Sequence, residues 1–421
     1  MLARLKQYLM LGNRRVMLFM AYTVAYHIGL LGIFDVVLNF YYVSLGYDIG
    51  TIAMFQSLPR LGGFLTSIPM GMLTNRIGTY RMMIYASVGV SLSMAAMVFF
   101  PTLLMLAISR FMLGFMYGAQ QLAQSPMMGA IVDRSSHTRF FAYHNVVSMG
   151  SMAVGSFIGG YMPALTILLF APFVPAAYVA NAQTTFAYGG ALIVASVVVL
   201  IGIIPFWFVG DIHASADDTD SHLKLKRKRG EGTPWRLLTI LNLPLLLFGF
   251  TGGLTFPFYN LFFRTQFGVP DETVGTILSI GWLGMALVPL ANPALERRFG
   301  RIGTLAITLT IGALGFVGLA AAPTLALSVV AFVIAISFRN VMQTLFQPLL
   351  MATLPVEFHN NCSSMGLVMW NVGWMIATAI SGILQTAIGF RTIMDIVAVG
   401  VLMTAGLIVV IFRQQMAFSR R

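Results

Sequence analysis

Most of this chain is apolar, so the residues able to do chemistry are the few ionisable ones inside its long apolar runs. They are His27 and Asp35 in the first run, Arg60 in the second, Arg110 in the fourth and Arg339 in the tenth. A charged side chain at the centre of a bilayer costs roughly 3 kcal/mol or more unless paired or hydrated, so each is a candidate for function. A carboxylate in such a place can exchange a proton, and a guanidinium can hold a carboxylate or an anionic solute. Asp35 lies about nine residues before the end of its run and Arg60 about ten after the start of the next. At ~1.5 Å per residue they sit at similar depth, and a salt bridge is expected, either as a structural pair or as the seat of proton exchange. Burial and a neighbouring guanidinium act on a carboxyl's proton affinity in opposite directions, so a conformational change can load or release the proton.

Polar side chains gather around these charges at helical spacing. At ~100° per residue Asp35, Asn39 and Tyr42 share one face, expected to line a cavity. In the fourth run Arg110, Tyr117, Gln121 and Gln124 project to one side, and in the tenth Arg339, Gln343 and Gln347 do the same. Asn260 in the seventh run, with Asn371 and Trp374 in the eleventh, completes the expected substrate cavity. Arg60 and Arg110 are the expected partners of Asp35 in proton coupling. His27 is expected to be a hydrogen-bonded structural residue, and Cys362, the one cysteine, has no intramolecular disulfide partner. Nothing in the pattern supports covalent catalysis or a bound cofactor: there is no nucleotide-binding loop, no His/Cys metal cluster and no Ser-His-Asp grouping. Uphill movement of a solute would then need an ion gradient, and protons are the expected coupling ion.

The elements that must hold these residues follow from composition. The chain has 421 residues, 58% hydrophobic and 9% charged, so lipid is its solvent over most of its length. Runs near the ~20 residues a span needs occur at 16–44, 50–73, 80–100, 103–131, 141–163, 185–209, 237–263, 272–294, 302–322, 324–350, 363–388 and 393–412. They are continuous rather than alternating, which excludes a β-barrel and predicts an all-α membrane protein of twelve spans. The net charge of +12 does not point to nucleic acid, because 20 of the 25 Lys and Arg, counting Arg81 at the very start of its run with the loop before it, fall in one alternate set of loops and tails, with 3 inside spans and 2 in the opposite loops. That asymmetry predicts both termini in the cytoplasm. The apolar stretch 164–184, with Pro172 and Pro175, is either an interfacial hairpin or an extension of the fifth span. Residues 210–236, carrying Lys224 to Arg229, read as a charged cytoplasmic linker between residues 1–209 and 237–421.

The two halves repeat. A shift of 222 lays Pro293 to Arg301 over the polar break that begins at Gly71 and continues through Asn75, Arg76, Gly78 and Arg81; it also lays Gln343 over Gln121 and Pro348 over Pro126. Each copy keeps the order Leu, Arg, Gly, as Leu73, Arg76, Gly78 and Leu295, Arg298, Gly300, with Arg301 following in the second. These loops, the segment Arg110-Phe111-Met112-Leu113-Gly114-Phe115-Met116-Tyr117-Gly118 and the glycine segment Gly155 to Gly160 resemble motifs of the major facilitator superfamily. The first copy departs from the family loop at Asn75 and Thr79, and the glycine segment has Ser156 where proton-linked exporters carry Pro. The resemblance implies two pseudo-symmetric six-helix bundles, no enzymatic activity, and alternating access to a midplane site in a monomer of the plasma (inner) membrane. It further implies that the repeated loops act as conformational switches. Proton-coupled export of an amphiphilic, drug-like solute is the expected function. Alternatives are a carrier of an organic anion or sugar-like metabolite that uses the intramembrane arginines, and, from another class, a non-transporting receptor or lipid scramblase. A tag in residues 210–236 is expected to stay unlabelled by an impermeant reagent in intact cells; labelling from outside would reverse the orientation.

Overall fold

The computed structural model describes residues 13–133, 136–173, 184–211, 235–355 and 358–418. Among these the regular structure is helical, as lipid requires of a chain whose backbone groups must be satisfied within each span. α1 (Arg14–His27) passes through a wide π-helical stretch, Ile28–Phe34, into α2 (Asp35–Ser44). Then come α3 (Ile49–Ile77), α4 (Thr79–Phe99), α5 (Leu103–Ile131), α6 (His137–Phe170) and α7 (Thr185–Trp207). In the second half α8 (Trp235–Thr255) meets α9 (Tyr259–Phe267) through a tight 3-10 turn at Phe256–Phe258. α10 (Asp271–Leu287), α11 (Asn292–Ala321), α12 (Leu325–Thr353) and α13 (His359–Phe418) complete the chain. Short polar side chains start several of these helices. Asp48 accepts from Gly50 N and from the backbone and hydroxyl of Thr51, and the Thr51 hydroxyl holds its carboxyl below the ordinary carboxylate range.

Nine helical stretches among the described residues are long and apolar enough to cross a bilayer; those of 51 and 53 residues contain Gly300 and Gly389, whose positive φ breaks each into two spans. With α3, 29 residues long, these make the twelve spans predicted. The fifth span runs on through Pro163 to Phe170 and then a 3-10 turn, Ala171–Phe173, so the start of the apolar 164–184 stretch extends a helix. Residues 174–183, most of the charged linker including Lys224 to Arg229, and the extreme termini lie outside the described residues.

The half-chain repeat reappears in the backbone at the same offset. α5 and α12 match end to end, and Gly78 and Gly300 (φ 88° and 68°), like Gly46 and Gly268 (φ 86° and 62°), occupy the left-handed region. The polar break is narrower than predicted. Helix α3 continues through Asn75 and Arg76 to Ile77, with Gly71 also helical, and Gly78 alone parts it from α4. Arg76, Arg81 and Arg298 are exposed. Arg301 pairs with Glu296 at 2.9 Å and donates to the Pro348 carbonyl at 3.2 Å, tying the second break to α12.

Two compact units are present. One comprises residues 1–214 with Asn260–Trp282, the other Ser215–Tyr259 with Leu283–Arg421. Residues 260–282, from the second half of the sequence, pack with the first unit, where small residues let backbones meet: a methyl on Gly160 would lie 3.0 Å from the Gly275 Cα. The glycine segment of α6 works this way along its length, Gly155 facing Gly32 and Gly159 facing Ile33. Between α3 and α5 the approach is closer still, since a methyl on Gly114 would stand 2.1 Å from the Pro59 carbonyl oxygen. Gly114→Ala is expected to cost about 2 kcal/mol through overpacking and to lower the Tm of the purified chain. Gly150→Ala, which meets nothing within 4 Å, is the control; equal Tm values for the two variants would refute the tight crossing.

Candidate functional site

The first unit holds a charged cluster built from three helices. Asp35 opens α2 at the end of the π-helical stretch, a wide turn of the kind often found at functional sites. Its side chain is exposed although its chain neighbours Phe34 and Val36 are buried. Two guanidinium groups lie within electrostatic reach of it, Arg110 of α5 and Arg60 of α3, but neither is within ion-pair range of its carboxyl, so the salt bridge expected with Arg60 is not formed. Half-buried Tyr117 lies within electrostatic reach of Arg60 and Asp35, and its hydroxyl accepts from Gln121 Nε2 at 2.6 Å. Gln121 itself is exposed. Asp35 and Gln121 are thus exposed and Arg60 and Tyr117 half-buried, an accessible polar group within membrane-spanning helices.

From Arg110 runs a chain of hydrogen bonds. Arg110 donates to the Phe55 carbonyl at 3.2 Å and to Gln56 Oε1; Gln56 Nε2 donates to Asn39 Oδ1 at 2.6 Å, and Asn39 Nδ2 to Asn260 Oδ1 at 2.9 Å. Asn260 Nδ2 closes the chain on the Val36 carbonyl at 2.9 Å, one residue from Asp35. Asn39 and Asn260, singled out from sequence as cavity residues, are both buried and held by this network. Tyr42 departs from expectation more plainly. It has no accessible surface, its ring lies 5.0 Å from Phe55, and its hydroxyl points at the Met97 sulfur at 3.8 Å. One turn beyond Asn39, the face it shares with Asp35 has passed from the accessible side into core. Gln124 is also buried, donating to His144 Nε2 at 2.7 Å.

In the second unit the candidate residues separate by depth. Arg339 and Trp374 are buried, Gln343 and Gln347 are exposed, and Asn371 is half-buried. Gln347 donates to Ser363 Oγ at 2.7 Å and Asn371 to its own helix at the Leu367 carbonyl. Arg339 is anchored on α8 by the Phe248 carbonyl and by Thr251 Oγ1 at 3.3 Å. His27, as expected, is buried and bonds the Thr23 carbonyl at 2.8 Å. Cys362 is free and accepts from Asn242 Nδ2 at 3.2 Å.

Several polar residues of consequence escaped the sequence reading. Gln56 links Arg110 to Asn39, yet as one neutral side chain in an apolar run it gives no signal of its own. His137 and His359, exactly one repeat apart in number, bond the Val132 and Leu354 carbonyls at 3.1 and 2.9 Å, closing the ends of α5 and α12; comparing histidines at the 222 offset would have found them. Arg264 and Asp271, read as lying just outside spans, close a knot with α7. Tyr188 donates to Asp271 Oδ2 at 2.8 Å, Arg264 Nη1 donates to the Tyr188 oxygen at 3.1 Å and lies 3.4 Å from Asp271 Oδ1, and the guanidinium carbon sits 4.6 Å from the Phe40 ring centroid. Removing one charge leaves the other partly buried, so Asp271→Asn is expected to cost about 2 kcal/mol. Combined with Arg264→Gln the loss should fall short of the sum of the single effects. Additive thermal stabilities across this cycle would show that the pair does not couple.

Comparison with known proteins places this architecture. Residues 16–368 match the family model described as Major Facilitator Superfamily. No curated protein matches the sequence. Similar solved structures include a bacterial homologue of the human lysosomal transporter Spinster, inward-facing and occupied (TM-score 0.77, 13% identity, 95% of this chain and 97% of that one). A bacterial homologue of the iron transporter ferroportin in its inward-facing state has TM-score 0.67 at 16% identity, covering 94% of this chain and 98% of that one. The E. coli fucose:proton symporter has TM-score 0.59 at 15% identity, covering 97% and 99%. At these identities the likenesses establish the fold alone, while the family model spans most of the chain. The chain is a multi-pass membrane transporter, not an enzyme, and belongs to the major facilitator superfamily.

Proposed function

We propose that this chain is a proton-coupled secondary transporter in which Asp35 carries the coupling proton and the polar group formed by Arg60, Tyr117 and Gln121 meets the solute. The observation that supports this most is the placement of Asp35, an exposed carboxyl within a membrane span and within electrostatic reach of two guanidinium groups. When Asp35 is ionised it balances part of the positive charge of Arg110 and Arg60; when it is protonated that balance is lost and the arginines must find other acceptors. Arg110 already bonds Gln56, so a shift of its guanidinium reaches Asn39 and then Asn260 on α9. Proton uptake at Asp35 can thereby alter contacts made by a segment from the other half of the chain, which is the coupling that alternating access needs.

The fold is compatible with proton coupling, since one similar structure is described as a fucose:proton symporter. Export is a separate matter: the α6 glycines behind that expectation are taken up by packing against Gly32, Ile33 and Gly275, so coupling rather than direction is what the geometry supports. The test uses proteoliposomes with trapped pyranine and either ethidium or 2-naphthoate as solute. Asp35→Asn is expected to reduce solute-evoked proton flux at least tenfold while leaving equilibrium exchange of the solute largely intact. Full gradient-driven accumulation by Asp35→Asn would remove Asp35 from the mechanism.

A further inference from the structure

Arg339 is a cation within a membrane span with 7% of its surface exposed, and among the described residues no carboxylate lies within ion-pair range of it. Its partners are the Phe248 carbonyl, the Thr251 hydroxyl and the Phe248 ring, whose centroid is 3.9 Å from the guanidinium carbon. None of these carries a negative charge, and Nε is buried with no acceptor. A buried charge without its opposite, with a donor left unmet, is a costly arrangement. Arg264, by contrast, has the Asp271 carboxylate within ion-pair range.

The repeat shows which way the group faces. Counting back 222 residues from Arg339 reaches Tyr117, within electrostatic reach of Asp35, and Gln343 stands one turn beyond Arg339 as Gln121 stands beyond Tyr117. The surroundings are aromatic. Gly252 admits both Arg339 and Trp374 against α8, since a methyl there would lie 2.8 Å from the guanidinium and 2.6 Å from the indole. Trp374 meets Phe256 at 5.7 Å, and Phe256 meets Tyr259 at the same separation.

We infer that Arg339 anchors an anion subsite on the second unit for a solute that carries one carboxylate on a flat, ring-containing body. One guanidinium neutralises one negative charge; a phosphomonoester dianion would leave a net charge in a low-dielectric site. The guanidinium supplies a charge-assisted hydrogen bond to the carboxylate, and the half-buried Phe256 ring, backed by Trp374, receives the ring. The exposed Gln343 and half-buried Phe256 mark the side from which the site is reached. The subsite rests on the transporter reading above, but not on Asp35 being the coupling group.

The test is equilibrium binding to the full purified chain in detergent, with no gradient, by calorimetry against 2-naphthoate, 2-naphthamide and 2-naphthyl phosphate. The carboxylate is expected to bind at least tenfold tighter than the amide and tighter than the phosphate ester. Arg339→Gln should bring the carboxylate down to the level of the amide, and Trp374→Ala should weaken both severalfold. Equal binding of carboxylate and amide, tighter binding of the phosphate ester, or a preference that survives Arg339→Gln would overturn the assignment. If Arg339→Gln does not fold, Arg339→Lys decides: severalfold weaker carboxylate binding with unchanged amide binding supports the subsite, and unchanged carboxylate binding refutes it. In Asp35→Asn the carboxylate preference should persist whether or not proton coupling is lost, so failure of the coupling proposal and failure of the subsite are separate outcomes.

Discussion

The structure depends throughout on the cost of leaving a polar group unsatisfied in hydrocarbon. Backbone groups meet that constraint by forming helices, and short side chains meet it by bonding back to their own helix, as Thr23, Thr66, Thr166 and Thr404 do to carbonyls four residues earlier. Charges meet it less easily. Arg110, Arg264 and Arg339 each turn to a carbonyl, a hydroxyl or an aromatic face, and Arg264 also has a carboxylate within ion-pair range. The way each is satisfied decides whether it reads as scaffold or as site.

Close backbone packing is what allows so few polar residues to find one another. Gly155 against Gly32, Gly114 against Pro59 and Gly275 against Gly160 bring helices near enough for side chains as short as Asn39 and Asn260 to touch. In the second unit Gly249 and Gly373 do the same for α8 and α13, and Thr378 and Ser381 then reach the α8 carbonyls of Gly253 and Leu254. The first helix of each half is also interrupted at a matching place, by a wide turn ending at Phe34 and by a tight one beginning at Phe256. The same repeat has thus been deformed in opposite senses. On one side the deformation presents Asp35, and on the other it sets Asn260 one residue into a new helix.

The repeat also gives the two halves different chemistry on one template. Tyr117 and Arg339 share a repeat position, yet one lies within electrostatic reach of a carboxylate and an arginine while the other is a cation against an aromatic ring.

The sequence by itself determined the spans, the half-chain repeat, the intramembrane charges and hence the family, because these are set by local composition and by spacing along the chain. Helix ends such as Leu103 and Ile131 were legible to the residue, since a span stops where apolar side chains give way to polar ones. The tertiary structure alone decided the burial of Tyr42, the meeting of Asn39 with Asn260, the knot of Tyr188 with Arg264 and Asp271, and the lack of a carboxylate beside Arg339 among the described residues. Each of these turns on which faces of distant helices come together, and helical periodicity names a face without saying what lies opposite it.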